Sequence, residues 1–222
     1  MNRLQVLWHS TVGKKAVMAV TGLVLVAYLI SHVLANLLVF DGPERINRYA
    51  ALLHGTGGAL WSARLVLLVA VILHVVAAVQ LTLRSRAARP SSYVAGREPQ
   101  ASTLASRTIR WGGALILVFL VYHILHFTTG GAHPEFIELN PYHNVATGFR
   151  NPLVAGFYGI AMIAVGLHLY HGVWSSGRSL GVSRPSPRPL HRRLALALAA
   201  FVWLGFTAIV VAGYLGVFGR AG

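Results

Sequence analysis

The sequence contains no cysteine. Disulfides, thiolate-bound metals, iron–sulfur clusters and covalently attached c-type haem are therefore excluded for this chain. Acidic residues are nearly absent too: five Asp and Glu stand against nineteen Lys and Arg in 222 residues, and only 11% of residues are charged. A soluble domain carries roughly twice that charged fraction, so a water-soluble globule is excluded. Disorder requires low hydrophobicity, whereas 55% of this chain is hydrophobic and its mean hydropathy is +0.62. In a soluble protein a net charge of +14 would point to nucleic acid. With this apolar excess it points to a membrane protein with lopsided loops and no nucleic-acid partner.

Five apolar stretches, uncharged except for Arg64, are long enough to cross about 30 Å of hydrocarbon at about 1.5 Å per residue. They cover residues 16–40, 60–83, 111–129, 152–174 and 194–218, and Arg64 lies close enough to one end to snorkel to the surface. Loop signals separate them: Gly42-Pro43, Arg89-Pro90, Gly130-Gly131, Asn151-Pro152 and the Pro185–Pro189 run. The first stretch follows Lys14-Lys15 as a signal peptide would, but it is too long for a signal h-region and ends without a small-residue cleavage site. The expected fold is all-α: one integral membrane domain over residues 1–222, with five transmembrane helices, four of them forming a ligand-binding bundle.

Charge sets the expected orientation. Arg3, Lys14, Lys15, Arg84, Arg86, Arg89, Arg97, Arg107, Arg110, Arg178, Arg184, Arg188, Arg192 and Arg193 fall on one side, against Arg45, Arg48, Arg64, Arg150 and Arg220 on the other. Asp41, Glu44, Glu135 and Glu138 lie on the poorer side. The positive-inside rule then places the N-terminus in the cytoplasm and the C-terminus outside.

Eleven histidines are conspicuous in so apolar a chain. Four spans hold one well below the surface: His32, His74, His123 with His126, and His168 with His171. An ionisable side chain at such depth marks a functional site by default, and interhelical glue is the plain alternative. Counting along antiparallel helices puts His32 and His123 in the outer half and His74 and His168 in the inner half, about 10–15 Å apart along the membrane normal. Two neutral imidazoles facing each other describe bis-histidine ligation of haem b. No carboxylate occurs at those depths, which disfavours di-iron and calcium sites, and zinc would need its ligands to converge on one point. Spacing does not choose His123 over His126 or His168 over His171, since each pair is three residues apart on roughly one face. The helix glycines Gly22, Gly112, Gly113, Gly156, Gly159, Gly166 and Gly172 leave room for close packing or for a flat ligand.

Gly13-Lys14-Lys15, Met18-Ala19, Thr21-Gly22 and Ser31-His32 with Asn36 resemble the first helix of the di-haem cytochrome b subunit of succinate:quinone oxidoreductases. The likeness continues through Ile46-Asn47-Arg48-Tyr49, His74, Tyr122-His123, Gly156-Phe157-Tyr158 and His168 with Gly172-Val173-Trp174-Ser175, covering residues 12–215. It implies His32 and His123 as axial ligands of an outer haem b, and His74 and His168 as those of an inner one. It leaves His126 and His171 as secondary polar or haem-propionate partners, beside Arg64, Arg84 and Arg178. It further implies a non-catalytic anchor and electron-transfer subunit of respiratory complex II in a bacterial cytoplasmic membrane. Its partners would be a flavoprotein with FAD and an iron–sulfur subunit, and its electrons would go to quinone, with menaquinone favoured. Succinate chemistry would lie on a partner, as the scarcity of acids and the lack of a nucleotide-binding glycine motif after a strand agree.

Quinone reduction consumes protons and requires a titratable group beside a quinone oxygen. Imidazole is suited to that role, and His54, just before the second span, is the candidate, with Asn47, Arg48 and Tyr49 on the same segment. Competing expectations are the di-haem cytochrome of a nitrate reductase, hydrogenase or formate dehydrogenase, whose ligands sit on fewer helices, and a haem-free scaffold or transporter.

Overall fold

The structure is a computed structural model and describes residues 2, 5, 8–88, 104–182 and 190–219. Arg3, Arg89, Arg97, Arg184, Arg188 and Arg220, and the Arg89-Pro90 and Pro185–Pro189 signals, lie outside the described residues. Among the described residues the chain is helical, with no strand. In order the helices are α1 (Thr11–Leu37), α2 (Pro43–Gly55), α3 (Gly58–Ala87), α4 (Leu104–Phe127), α5 (Pro141–Gly148), α6 (Pro152–Ser179) and α7 (Leu190–Tyr214). Five of these, α1, α3, α4, α6 and α7, are long and apolar enough to cross a membrane.

The helices outrun the apolar stretches at the basic end. There α1 begins before Lys14-Lys15, α3 runs on through Arg84 and Arg86, and α6 through Arg178. Likewise α4 starts before Arg107 and Arg110, and α7 before Arg192 and Arg193. Hydrocarbon limits where charge can sit, not where backbone pairing stops, and Lys and Arg are good helix formers. A charged residue therefore marks the edge of the membrane rather than the end of the helix.

Two segments read as turns and loop are helical. The chain leaves α1 through a 3-10 turn at Leu38–Asp41 and enters α2 with Pro43 in its first turn; α5 begins the same way, on Pro141, with the Asn140 side chain accepting from His143 N–H. Both are too short to span and pack together as a cap on the acid-bearing end. Asn47 fastens them: its Nδ2 donates to Asn140 Oδ1 (3.0 Å), and its Oδ1 accepts from the Tyr142 amide (3.2 Å).

The centre of the bundle is α6, which packs on α7, α4 and α1; α1 also packs on α3 and α7. Tyr158, Ala161, Met162, Val165 and Leu169 of α6 interlock with Ala199, Val202, Ile209 and Val210 of α7 and with Val33 of α1. A Cβ at Gly205 would stand 2.5 Å from Val33 Cγ2, and Val33 is fully buried. The α1–α7 seam therefore exists only because position 205 has no side chain. Gly205→Leu should force the helices apart at a cost of about 1–3 kcal/mol, read as a lowered melting temperature of the detergent-solubilised chain. An unchanged melting temperature would show that the seam does not carry the packing.

Candidate functional site

Each deep histidine is placed by the helix that carries it. On α3 the side facing α1 is lined by Ala70 and Ala77, both buried, and His74 lies between them at helical spacing. The small neighbours let the imidazole reach α1, where its Nδ1 lies 3.0 Å from the Met18 carbonyl and 3.3 Å from Thr21 Oγ1. A carbonyl can only accept, so Nδ1 carries the proton and donates to Met18 O. The lone pair of Nε2 is then free for a ligand, which is how a metal-binding histidine is commonly oriented.

Across the bundle from His74 stands His168 of α6, with ring centres 6.1 Å apart and planes at 58°. Its Nδ1 is buried and makes no hydrogen bond. The second pair is His32 of α1 and His123 of α4, at 5.9 Å and 86°. Tyr28 stacks on His32 at 5.2 Å, and Phe206 and Phe119 flank the pair. Asn36 Nδ2 donates to the His32 carbonyl (2.8 Å). His123 Nδ1 lies 3.3 Å from the hydroxyl of buried Tyr158, which is also 3.1 Å from His126 Nδ1. With one proton, that hydroxyl donates to one imidazole and accepts from the other.

The two pairs form separate layers. A Cβ on Gly22 of α1 would meet the His74 ring at 3.2 Å, so His74 sits at the level of Gly22, ten residues before His32. On α4 the same interval recurs: Gly113 abuts the His168 ring at 3.7 Å, ten residues before His123. Ten helical residues rise about 15 Å, so both helices give the same separation between layers.

A metal between two facing imidazoles, about 2 Å from each nitrogen, sets ring centres about 6 Å apart. Direct edge contact between rings also meets that spacing. Two observations favour a shared ligand. The partners in each pair come from helices, α1 with α4 and α3 with α6, that are not among the principal packed pairs of the bundle. In addition, the Nδ1 of His168 is buried without a hydrogen-bond partner. Among the described residues no group of three or more His, Cys, Asp or Glu side chains converges to hold a metal ion.

The remaining candidates fall elsewhere. His126 is 1% exposed and stacks on His133 at 4.7 Å. His171 meets Trp174 edge-on at 6.2 Å, and its Nδ1 is buried without a partner. Arg64 lies over Trp61 (4.9 Å), Arg178 over Trp174 (5.5 Å), and Arg84 donates to the His9 carbonyl (3.0 Å). Around α2, Asn47 is committed to α5, His54 and Tyr49 are exposed, and Arg48 lines a shallow depression of about 460 Å³ with Ala51, Leu52, Gly55 and Thr56. These four fan around one short helix and do not meet at a point.

No family model matches the chain, and neither the curated proteins nor the solved structures yield a match.

Tyr158 was not foreseen as a site residue, although its hydroxyl is shared by half-buried His123 and buried His126. Tyr158→Phe should destabilise the chain by about 1–3 kcal/mol, the cost of unpaired buried polar groups. Thermal unfolding in detergent checks this, and a melting temperature equal to that of the wild type would mean the hydroxyl is not used.

Proposed function

We propose that this chain is the membrane anchor and electron-transfer subunit of a succinate:quinone oxidoreductase, holding two b haems one above the other. The observation that carries the reading is the occurrence of two histidine pairs, at 5.9 and 6.1 Å, drawn from four different helices. His32 and His123 hold one haem, His74 and His168 the other. Bound haem supplies a one-electron carrier at each level, so that the iron–sulfur subunit at the basic end and quinone at the other are connected across the membrane.

The protein's own residues do the positioning. The Met18 carbonyl fixes the tautomer of His74, Thr21 stands beside the same nitrogen, and Tyr158 holds the turn of the His123 ring. Gly22 and Gly113 keep side chains away from the two basic-end rings. The apolar walls around the paired imidazoles limit the access of water to the site. Four ligand-bearing helices accord with the family resemblance and separate this chain from cytochromes that concentrate their ligands on fewer helices. The proposed orientation puts the N-terminus in the cytoplasm, where the basic loops face the flavoprotein and iron–sulfur subunits. The exposed His54 stands at the opposite end as the proton-handling group for quinone, and menaquinone is the quinone favoured by the resemblance.

The chain purified from its native membrane should bring with it a flavoprotein reducible by succinate. In the assembled complex, His168→Ala should remove one of two haems and stop quinone reduction, while succinate-to-dye activity, which belongs to the partners, persists. Retention of both haems in that variant, or a partner that succinate does not reduce, would contradict the proposal.

A further inference from the structure

At the basic end, the start of α1 and the end of α3 enclose a cleft of about 340 Å³ lined by Trp8, His9, Lys14, Gln80, Leu83 and Arg84. Its chemistry is unbalanced. Lys14 is only 3% exposed, yet its ammonium donates to the neutral Gln80 carbonyl oxygen and lies over the Trp8 ring at 4.5 Å. Arg84 likewise donates to a neutral acceptor, the His9 carbonyl. Among the described residues neither cation has a carboxylate in this wall; their acids, Asp41, Glu44, Glu135 and Glu138, belong to the opposite end of the bundle, and Glu98 lies outside the described residues. Burying a cation without a counter-charge is costly, and two neighbouring cations raise that cost.

The cleft sits where the spans leave the hydrocarbon, with an indole at its rim as interfacial tryptophans commonly are. From it an apolar track runs into the membrane along α3: Leu83, Val79 and Val76, at 57%, 52% and 37% exposure and helical spacing. Charge above and an exposed apolar stripe below match an amphiphile with an anionic head. We propose that this cleft binds the phosphodiester head of an anionic phospholipid, with Lys14 and Arg84 on the phosphate and an acyl chain along Val76, Val79 and Leu83. Basic pockets between membrane helices commonly take such head groups. The site does not depend on the haem reading, because it uses none of the paired histidines.

Native mass spectrometry of the full chain in mild detergent, titrated with dioleoylphosphatidylglycerol or dioleoylphosphatidylcholine, tests the proposal. One phosphatidylglycerol should be retained in preference to phosphatidylcholine. Arg84→Gln and Lys14→Gln should each weaken phosphatidylglycerol retention about fivefold, as expected for one lost cation at a lipid surface, while Lys14→Arg restores it. Arg84 is exposed, so R84Q carries the test even where K14Q fails to fold. Equal retention of the two lipids, or phosphatidylglycerol binding unaltered in R84Q, would overturn the proposal. Full displacement by millimolar inorganic phosphate would overturn it as well, marking a free-anion site that makes no use of the acyl track.

Discussion

Imidazole buried in an apolar bundle, without a carboxylate to receive its proton, is the constraint around which this protein is arranged. Every N–H and lone pair placed at that depth must find a partner or stand at a cost of a few kcal/mol. The chain answers with neutral groups: the Met18 carbonyl for His74, and the Tyr158 hydroxyl for His123 and His126. The orphaned Nδ1 atoms of His168 and His171 are what remains.

Packing is uneven among the helices. The dense core lies between α6 and α7, while α3 and α4 pack less extensively. The recurrence of a glycine ten residues before a histidine on both α1 and α4 sets the two layers at a common spacing of about 15 Å.

Much of this was legible in the chain itself, because hydrocarbon imposes rules that act residue by residue. Span number followed from charge-free length, and counting depth along antiparallel helices matched His32 with His123 and His74 with His168, the partners that the structure brings together. Spacing left His123 and His126 equivalent. Three residues still turn a helix by about 60° from eclipse, and that offset sends His123 toward His32 while His126 stacks on His133. The helical state of α2 and α5 was missed because short capping helices have no span-like signal, and their stability comes from partners far along the chain, such as Asn47 with Asn140. The role of Tyr158 was hidden for the same reason: it depends on two helices meeting. The paired glycine-to-histidine interval was present in the sequence and would have been found by comparing the first and third spans directly.

The central claim is that the two histidine pairs each hold a haem. The difference spectrum of the purified full chain, dithionite-reduced minus oxidised, together with its haem content per polypeptide, tests it most directly. The account predicts a b-type α-band and two non-covalently bound haems per chain. A chain purified intact from its native membrane with no such band would contradict it, leaving the paired imidazoles as contacts between helices.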